Sequence, residues 1–208
     1  MKVLIACEES QSITKEFRNL GHEAFSCDIL PCSGGHPEWH YQQDVFEVID
    51  QGWDMMIAHP PCTYLSVSGA RWLYNKDGSK NEERWRNQSE ALNFVQRLMD
   101  VPIDKIAIEN PVSVISSNIR KPEQIIQPWM FGDEATKTTC LWLKNLPLLK
   151  PTKVVGKGER VVFKSGKSHP QWYAEALSKA KTAEERRNLR SKTFPGIAQA
   201  IANQWGGL

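Results

Sequence analysis

No run of about 18 apolar residues occurs anywhere in the 208-residue chain, so nothing in it reads as a membrane span. The opening Met1-Lys2-Val3-Leu4-Ile5 lacks the long apolar stretch and small-residue cleavage site of a secretory signal and reads directly as a strand. Cysteine is sparse: there are five, an odd number at uneven spacings. That argues against a disulfide framework and makes a reducing cytoplasm the natural compartment. There is no internal repeat and no long linker. Neither sign of charge dominates, with 26 Lys and Arg against 24 Asp and Glu, and the last sixteen residues carry no charged side chain.

With 40% apolar residues the chain can bury a sizeable core, and its length favours one domain over residues 1–208. The balanced total hides an asymmetry. Residues 144–192 hold thirteen basic groups against four acidic ones, an excess of nine positive charges. Residues 1–143 hold thirteen basic against twenty acidic, an excess of seven negative charges. A basic segment beside an acidic body is the footprint of a phosphate-contacting surface such as one for nucleic acid; a Lys-rich solvated helix and loop is the bland alternative. The basic positions expected to meet nucleic acid include Lys179, Lys181, Arg186 and Arg187.

Short apolar runs alternate with helix-like segments. Residues 3–7, 23–29, 53–58 and 103–108 read as strands, and 138–143 as a further candidate. Residues 11–20 read as a helix stopped by Gly21. In 81–99, Trp85, Leu92, Val95 and Met99 recur at helical spacing. Residues 150–168 suggest a hairpin or loop, 172–190 a helix, and 197–205 an apolar C-terminal helix. Strands alternating with helices predict an α/β fold with a mainly parallel sheet, whose ligands bind at the carboxyl ends of the strands. Glu8, Asp28, Cys62 and Glu109 all fall at such ends.

The most informative segment is His59-Pro60-Pro61-Cys62. Two prolines fix the turn after a strand and hold the next thiol out at the sheet rim. A rigidly presented thiol is what covalent catalysis needs, while a structural cysteine in a Pro-rich turn is the other reading. A second strand ends in Glu109-Asn110-Pro111. If the two strands adjoin, about 4.8 Å apart, a thiol and a carboxyl face one pocket. That pairing suits nucleophilic addition to a ring that is protonated elsewhere; a cap for the next helix is the alternative.

Pro60-Pro61-Cys62 followed by Glu109-Asn110, both after strands and in this order, resembles the DNA cytosine carbon-5 methyltransferases. The wider sequence is similar to short methylases of bacteriophages, in residues 59–66 and in the closing Phe194-Pro195-Gly196-Ile197-Ala198. The resemblance implies a Rossmann-like methyltransferase fold in which 144–192 forms a small basic excursion in place of a large target-recognition domain. It implies S-adenosylmethionine as cofactor and cytosine, in DNA or in a free deoxycytidine nucleotide, as acceptor. Cys62 would be the nucleophile and Glu109 the base-binding acid. Cys7, Glu8 and Ser10 would line the cofactor pocket with Pro60, Asp28 would hold the ribose hydroxyls, and Asp44 would sit near the adenine. Pro61, Asn110, Arg71 and Lys137 would contact substrate. The host cytoplasm would be the compartment if a phage encodes the chain. Two departures stand out: Cys7-Glu8-Glu9-Ser10-Gln11-Ser12 replaces the family's glycine-rich loop, and Lys137 stands nearest to its paired arginines.

Rival chemistries fit less of the sequence. Cys27, Cys32, His36 and His40 have a spacing near that of zinc sites but off the usual patterns. A zinc cytidine deaminase needs H-x-E and then P-C-x-x-C; His36-Pro37-Glu38 matches, but Leu65 stands where the last cysteine belongs. An amino-group methyltransferase would carry an acidic or Asn-Pro-Pro-aromatic turn, not one ending in Cys62. A non-catalytic DNA-binding protein leaves Cys62 and Glu109 unexplained.

Overall fold

A computed structural model describes residues 1–208, the side chains of Glu184 and Arg187 excepted. Arg187, one of the positions expected to meet DNA, thus has its side chain outside the described residues. Nine strands and six α-helices make up the regular structure of the described residues. The first half runs β1 (Lys2–Ala6), α1 (Ser12–Asn19), β2 (Glu23–Asp28), β3 (His40–Gln42), β4 (Met55–Ala58), α2 (Glu82–Asp100) and β5 (Lys105–Asn110). The second runs α3 (Ile115–Asn118), β6 (Gln124–Ile126), β7 (Thr139–Lys144), β8 (Arg160–Val162), β9 (Ser168–Pro170), α4 (Gln171–Lys179), α5 (Ala183–Ser191) and α6 (Pro195–Trp205).

Seven strands form one sheet in the order β3-β2-β1-β4-β5-β7-β6. β1 to β5 are parallel, and β7 runs antiparallel to both β5 and β6. This is an α/β fold with a mainly parallel sheet, consistent with the Rossmann-like methyltransferase architecture expected from the sequence. The central strands are apolar throughout because both of their faces are covered. Val3, Ile5, Met55 and Ile57 pack with Phe17 of α1 and Ile201 and Trp205 of α6. Their neighbours Leu4, Ala6, Met56 and Ala58 pack on the other face with Val95 and Leu98 of α2.

The order reverses between β1 and β4, and the crevice above such a switch point is where open α/β sheets take their ligands. Several elements differ from their sequence signals. β5 extends to Asn110, since pairing with β7 continues to Asn110–Cys140, so Glu109 and Asn110 belong to the strand itself. The basic segment contains the β8–β9 hairpin, and the helix expected over 172–190 is two. Thr182 starts the second with a capping box, its hydroxyl accepting from Glu185 N while Glu185 accepts from Thr182 N. β3 and β6, three residues each, carry no apolar run and gave no strand signal.

Glu8 is 5% exposed, yet it is satisfied. Its carboxylate accepts hydrogen bonds from Ile13 N at 2.7 Å, Thr14 N at 3.3 Å and Thr14 Oγ1 at 2.8 Å. Those are donors at the start of α1, where a negative charge also meets the positive end of the helix dipole. Glu8→Ala should therefore lower stability by about 2 kcal/mol. Urea unfolding should show a lower midpoint at an unchanged slope, and an unchanged midpoint would contradict the capping role.

Candidate active site

The register of β4 on β5 assembles the site. Ala58 stands opposite Ile108, so the residues that follow, His59 and Glu109, come side by side. The Nδ1–H of His59 donates to Glu109 Oε2 at 3.1 Å. One residue on, Asn110 Nδ2 donates to Pro60 O at 2.8 Å, tying the strand to the Pro-Pro turn. Asn110 is buried, and its Oδ1 has no partner among the described residues.

Beyond the prolines the chain turns back on itself, with Leu65 N and Ser66 N both donating to Cys62 O. α2 holds this turn from the side. Arg84 Nη2 donates to Thr63 O at 3.1 Å and Gln88 Nε2 to Tyr64 O at 2.9 Å. Val114 N donates to Leu65 O, so the segments after β4 and β5 are zipped together. Cys62 thus sits on a turn fixed by two prolines, two side chains of α2 and the neighbouring loop.

A cleft of about 950 Å3 opens above these residues. Cys62, Glu109 and Asn110 line it together with Cys7 to Ser10, His59 to Pro61 and Lys137. Arg186 and Arg190 of α5, with Lys192, Trp72 and Trp172, line the same space. Cys62 is exposed at the cleft, yet the protein around it partly desolvates the thiol and raises it above its ordinary value; the nearby Glu109 charge adds to this, while Lys137 and Arg190 oppose it. The resting group is therefore a thiol at neutral pH. Burial also pushes Glu109 up, but the hydrogen bond and charge of His59, then Lys137, outweigh it and hold the carboxyl below its usual range. Burial lowers the Lys137 ammonium, and the Glu109 carboxylate opposes that shift. Lys137 Nζ donates to the carbonyls of Ser191 and Lys192, joining the end of α5 to the floor of the site.

Of the expected cofactor residues, Cys7, Glu8, Ser10 and Pro60 line the cleft, while Asp28 and Asp44 lie outside its lining. Cys7 and Gln11 take left-handed backbone at φ 58° and 56°, conformations that cost a non-glycine residue about 1–2 kcal/mol. The turn thereby makes, without glycine, the bend that a glycine-rich loop usually supplies. Buried Gln11 fixes it by donating to His36 O and Ser26 Oγ and accepting from His36 N. Gly34 packs against it so tightly that a Cβ there would come within 2.6 Å of Ser10 O. Ser10 lines the cleft, with its hydroxyl 3.1 Å from that of Ser12. Glu8 lines the cleft too, but its carboxylate is engaged in capping α1. Asp28, at the end of β2, accepts from Leu30 N through Oδ1 and is partly exposed. Burial raises its carboxyl first of all, and backbone N–H groups and His40 oppose the shift. Asp44 is exposed and accepts from Phe46 N at the start of a short 3-10 helix.

Other expected residues lie elsewhere. Arg71 is outside the cleft lining, with its guanidinium over the Trp72 ring at 4.4 Å. Lys179 pairs with Glu175 on the exposed side of α4, and Lys181 does not line the cleft. Cys27 Sγ donates to Gln43 O, His40 shares hydrogen bonds with Ser26 Oγ and Leu30 O, and His36 stacks on Trp39. Among the described residues, no three His, Cys, Asp or Glu gather as a metal site. The sequence reading passed over His59, Arg190, Lys192 and Trp72 as site residues. His59 was findable, because it stands directly after its strand as Glu109 stands directly after Ile108 in the next. The other three depend on how residues 144–192 and 67–73 fold back over the sheet, which no local pattern shows.

No family model and no curated protein matches the chain. Among solved structures it is similar to a candidate DNA modification methyltransferase encoded within a prophage of E. coli, at 14% sequence identity and a TM-score of 0.49. The match covers 75% of this chain and 52% of that one, so the chain spans about half of that protein's length. At that score the likeness adds nothing to what the strand order already establishes.

The depressed carboxyl of Glu109 fixes a sign for pH. A group whose folded value lies below its ordinary 4.5 contributes stability that is present above 4.5 and is lost as pH falls through the folded value. Wild type should therefore exceed Glu109→Gln in unfolding free energy at neutral pH and lose that lead below pH 4.5. A difference that does not change with pH in urea titrations would contradict the His59–Glu109 pairing.

Proposed function

We propose that this chain is a methyltransferase acting on carbon 5 of cytosine in DNA, with S-adenosylmethionine as donor and Cys62 as a covalent nucleophile. The observation that carries the reading is the meeting of Cys62 and Glu109 at the floor of one cleft, through the register of β4 on β5. The resemblance of Pro60-Pro61-Cys62 and Glu109-Asn110 to the cytosine carbon-5 methyltransferases names the chemistry.

The residues present fit the donor in part. The Cys7 to Ser10 turn, which lines the cleft, and Asp28, which lies at the end of β2 beyond that lining, would hold its amino-acid and ribose portions. Glu8 would contribute only through α1. Bound there, S-adenosylmethionine supplies an electrophilic methyl group for carbon 5.

The remaining work falls to the chain's own side chains. At rest Cys62 is a thiol and Glu109 a carboxylate, so one proton must pass from Sγ before sulfur can attack. Glu109 takes that proton and delivers it to N3 of the cytosine, while its oxygens also accept from the 4-amino group. Cys62 Sγ then bonds to carbon 6, and the electron pair of the 5,6 double bond becomes available at carbon 5. After methylation the carbon-5 proton passes to water, Cys62 leaves carbon 6 as the 5,6 double bond re-forms, and the N3 proton returns through Glu109 to Sγ, which restores the aromatic ring and the resting thiol and carboxylate. His59 orients Glu109, and Asn110 fixes the turn that carries Cys62. In duplex DNA the cytosine must leave the stack, at a cost of a few kcal/mol.

Radiolabelled methyl transfer tests this reading, with DNA and deoxycytidine monophosphate as parallel acceptors. Wild type should label DNA. Cys62→Ala should lose at least about a thousandfold of that activity with an unchanged unfolding midpoint, and Glu109→Gln about a hundredfold or more while still folded, though less stable, at neutral pH. Normal turnover by Cys62→Ala would overturn the covalent route. Label in the nucleotide alone would replace DNA as the substrate, and label in neither would overturn the assignment as a methyltransferase.

A further inference from the structure

The cleft carries a lip that the chemistry at its floor does not use. Residues 67–73 form a 3-10 helix after the Cys62 turn, and its Trp72 lines the cleft while 53% exposed. An indole is a large apolar body that ordinarily finds a covering. Here the Arg71 guanidinium lies over the ring at 4.4 Å, which fixes its plane, and about half of the residue still meets solvent. Val67 and Tyr74 beside it are about half exposed as well.

The same cleft has a cationic wall. Arg186, Arg190 and Lys192 line it, and among the described residues none of the three forms an ion pair with a carboxylate. Arg190 is held in place by its neighbours: its guanidinium lies 4.5 Å from the centre of the Tyr173 ring, which is stacked on His169. Lys137 ties the end of this helix to the floor. These cations are therefore presented by a braced surface and are not the tips of a loose lysine-rich loop.

An aromatic face for a base together with fixed cations for phosphates, lining one groove, is how proteins hold single-stranded nucleic acid. Duplex readers instead lay an element into a groove of the double helix. The volume of about 950 Å3 is that of a small-molecule pocket, which admits a strand's bases. We propose that the substrate enters as single-stranded DNA, with a base neighbouring the target cytosine stacked on Trp72 and its phosphates on Arg186, Arg190 and Lys192. The inference rests on the cytosine reading above and narrows its substrate class.

Fluorescence anisotropy of a labelled cytosine-containing 20-mer tests it, with the strand alone and as its duplex, at matched salt and without cofactor. Wild type should bind the single strand at least about tenfold more tightly than the duplex. Trp72→Ala should weaken single-strand binding by about 5- to 150-fold, the range of one base–aromatic stack, and Trp72→Phe should restore most of it. The double variant Arg186→Ala, Arg190→Ala should flatten the slope of log affinity against log salt by about 1.4, since two phosphate contacts are lost. Equal or tighter duplex binding would overturn the proposal, as would a Trp72→Ala variant of unchanged affinity and unchanged unfolding midpoint. Methyl transfer confined to duplex would overturn this inference and leave the cytosine chemistry standing. Single-strand binding of the expected pattern without any methyl transfer would do the reverse.

Discussion

The parallel register of β4 against β5 is the constraint on which the rest of the site depends. Side chains alternate along a strand, so a slip of one residue would send Glu109 to the opposite face from His59 and part Asn110 from Pro60 O. The apolar content of the strands forbids that slip. Met56, Ala58, Ile106 and Ile108 share one buried face with α2, while Met55, Ile57 and Ala107 share the other with α1 and α6. The core thus sets the register, and the register brings a thiol and a carboxylate to one floor.

Around that floor the chain spends polar groups on rigidity. Asn110, Arg84 and Gln88 each end on a backbone carbonyl of residues 60–64. Glu8 and Gln11 brace the turn after β1 by accepting from the backbone N–H groups of Ile13 and His36, and that turn holds two left-handed residues that are not glycine. Such strain persists only where the surroundings over-determine it. Lys137 has the widest reach, since its ammonium sits near Glu109 and Cys62 and also holds the end of α5. Any movement of the basic segment would change the electrostatics of the thiol.

Much of this was legible in the residues. Long apolar runs marked β1, β4 and β5, and the polar groups that end them marked the rim. Cys62 and Glu109 could be paired on paper because each comes soon after such a run, Glu109 at once and Cys62 after His59-Pro60-Pro61. β3, with the sequence His-Tyr-Gln, is recruited by its neighbour and not by its own pattern. The reversal of β7 is a matter of connection, which periodicity does not encode. The break between α4 and α5 had a local signal in Thr182-x-x-Glu185, hidden inside a run of good helix formers. Arg190 and Lys192 reach the cleft from a segment far from it in sequence, and Trp72 through the way residues 67–73 fold, so their types suggested contact without saying where. Glu8 shows the opposite limit: its place at a strand end was legible, but its engagement with α1 required the fold.

The measurement that bears most directly on this account is intact-mass analysis after reaction with a single-stranded oligonucleotide carrying one 5-fluorocytosine, with S-adenosylmethionine present. Fluorine at carbon 5 cannot depart as the proton does, so the bond from Cys62 to carbon 6 should persist. The account predicts a species with the mass of protein, oligonucleotide and one methyl group, attached at Cys62 and missing from Cys62→Ala. Methylation of ordinary cytosine at carbon 5 with no such adduct, or an adduct at a different cysteine, would contradict it.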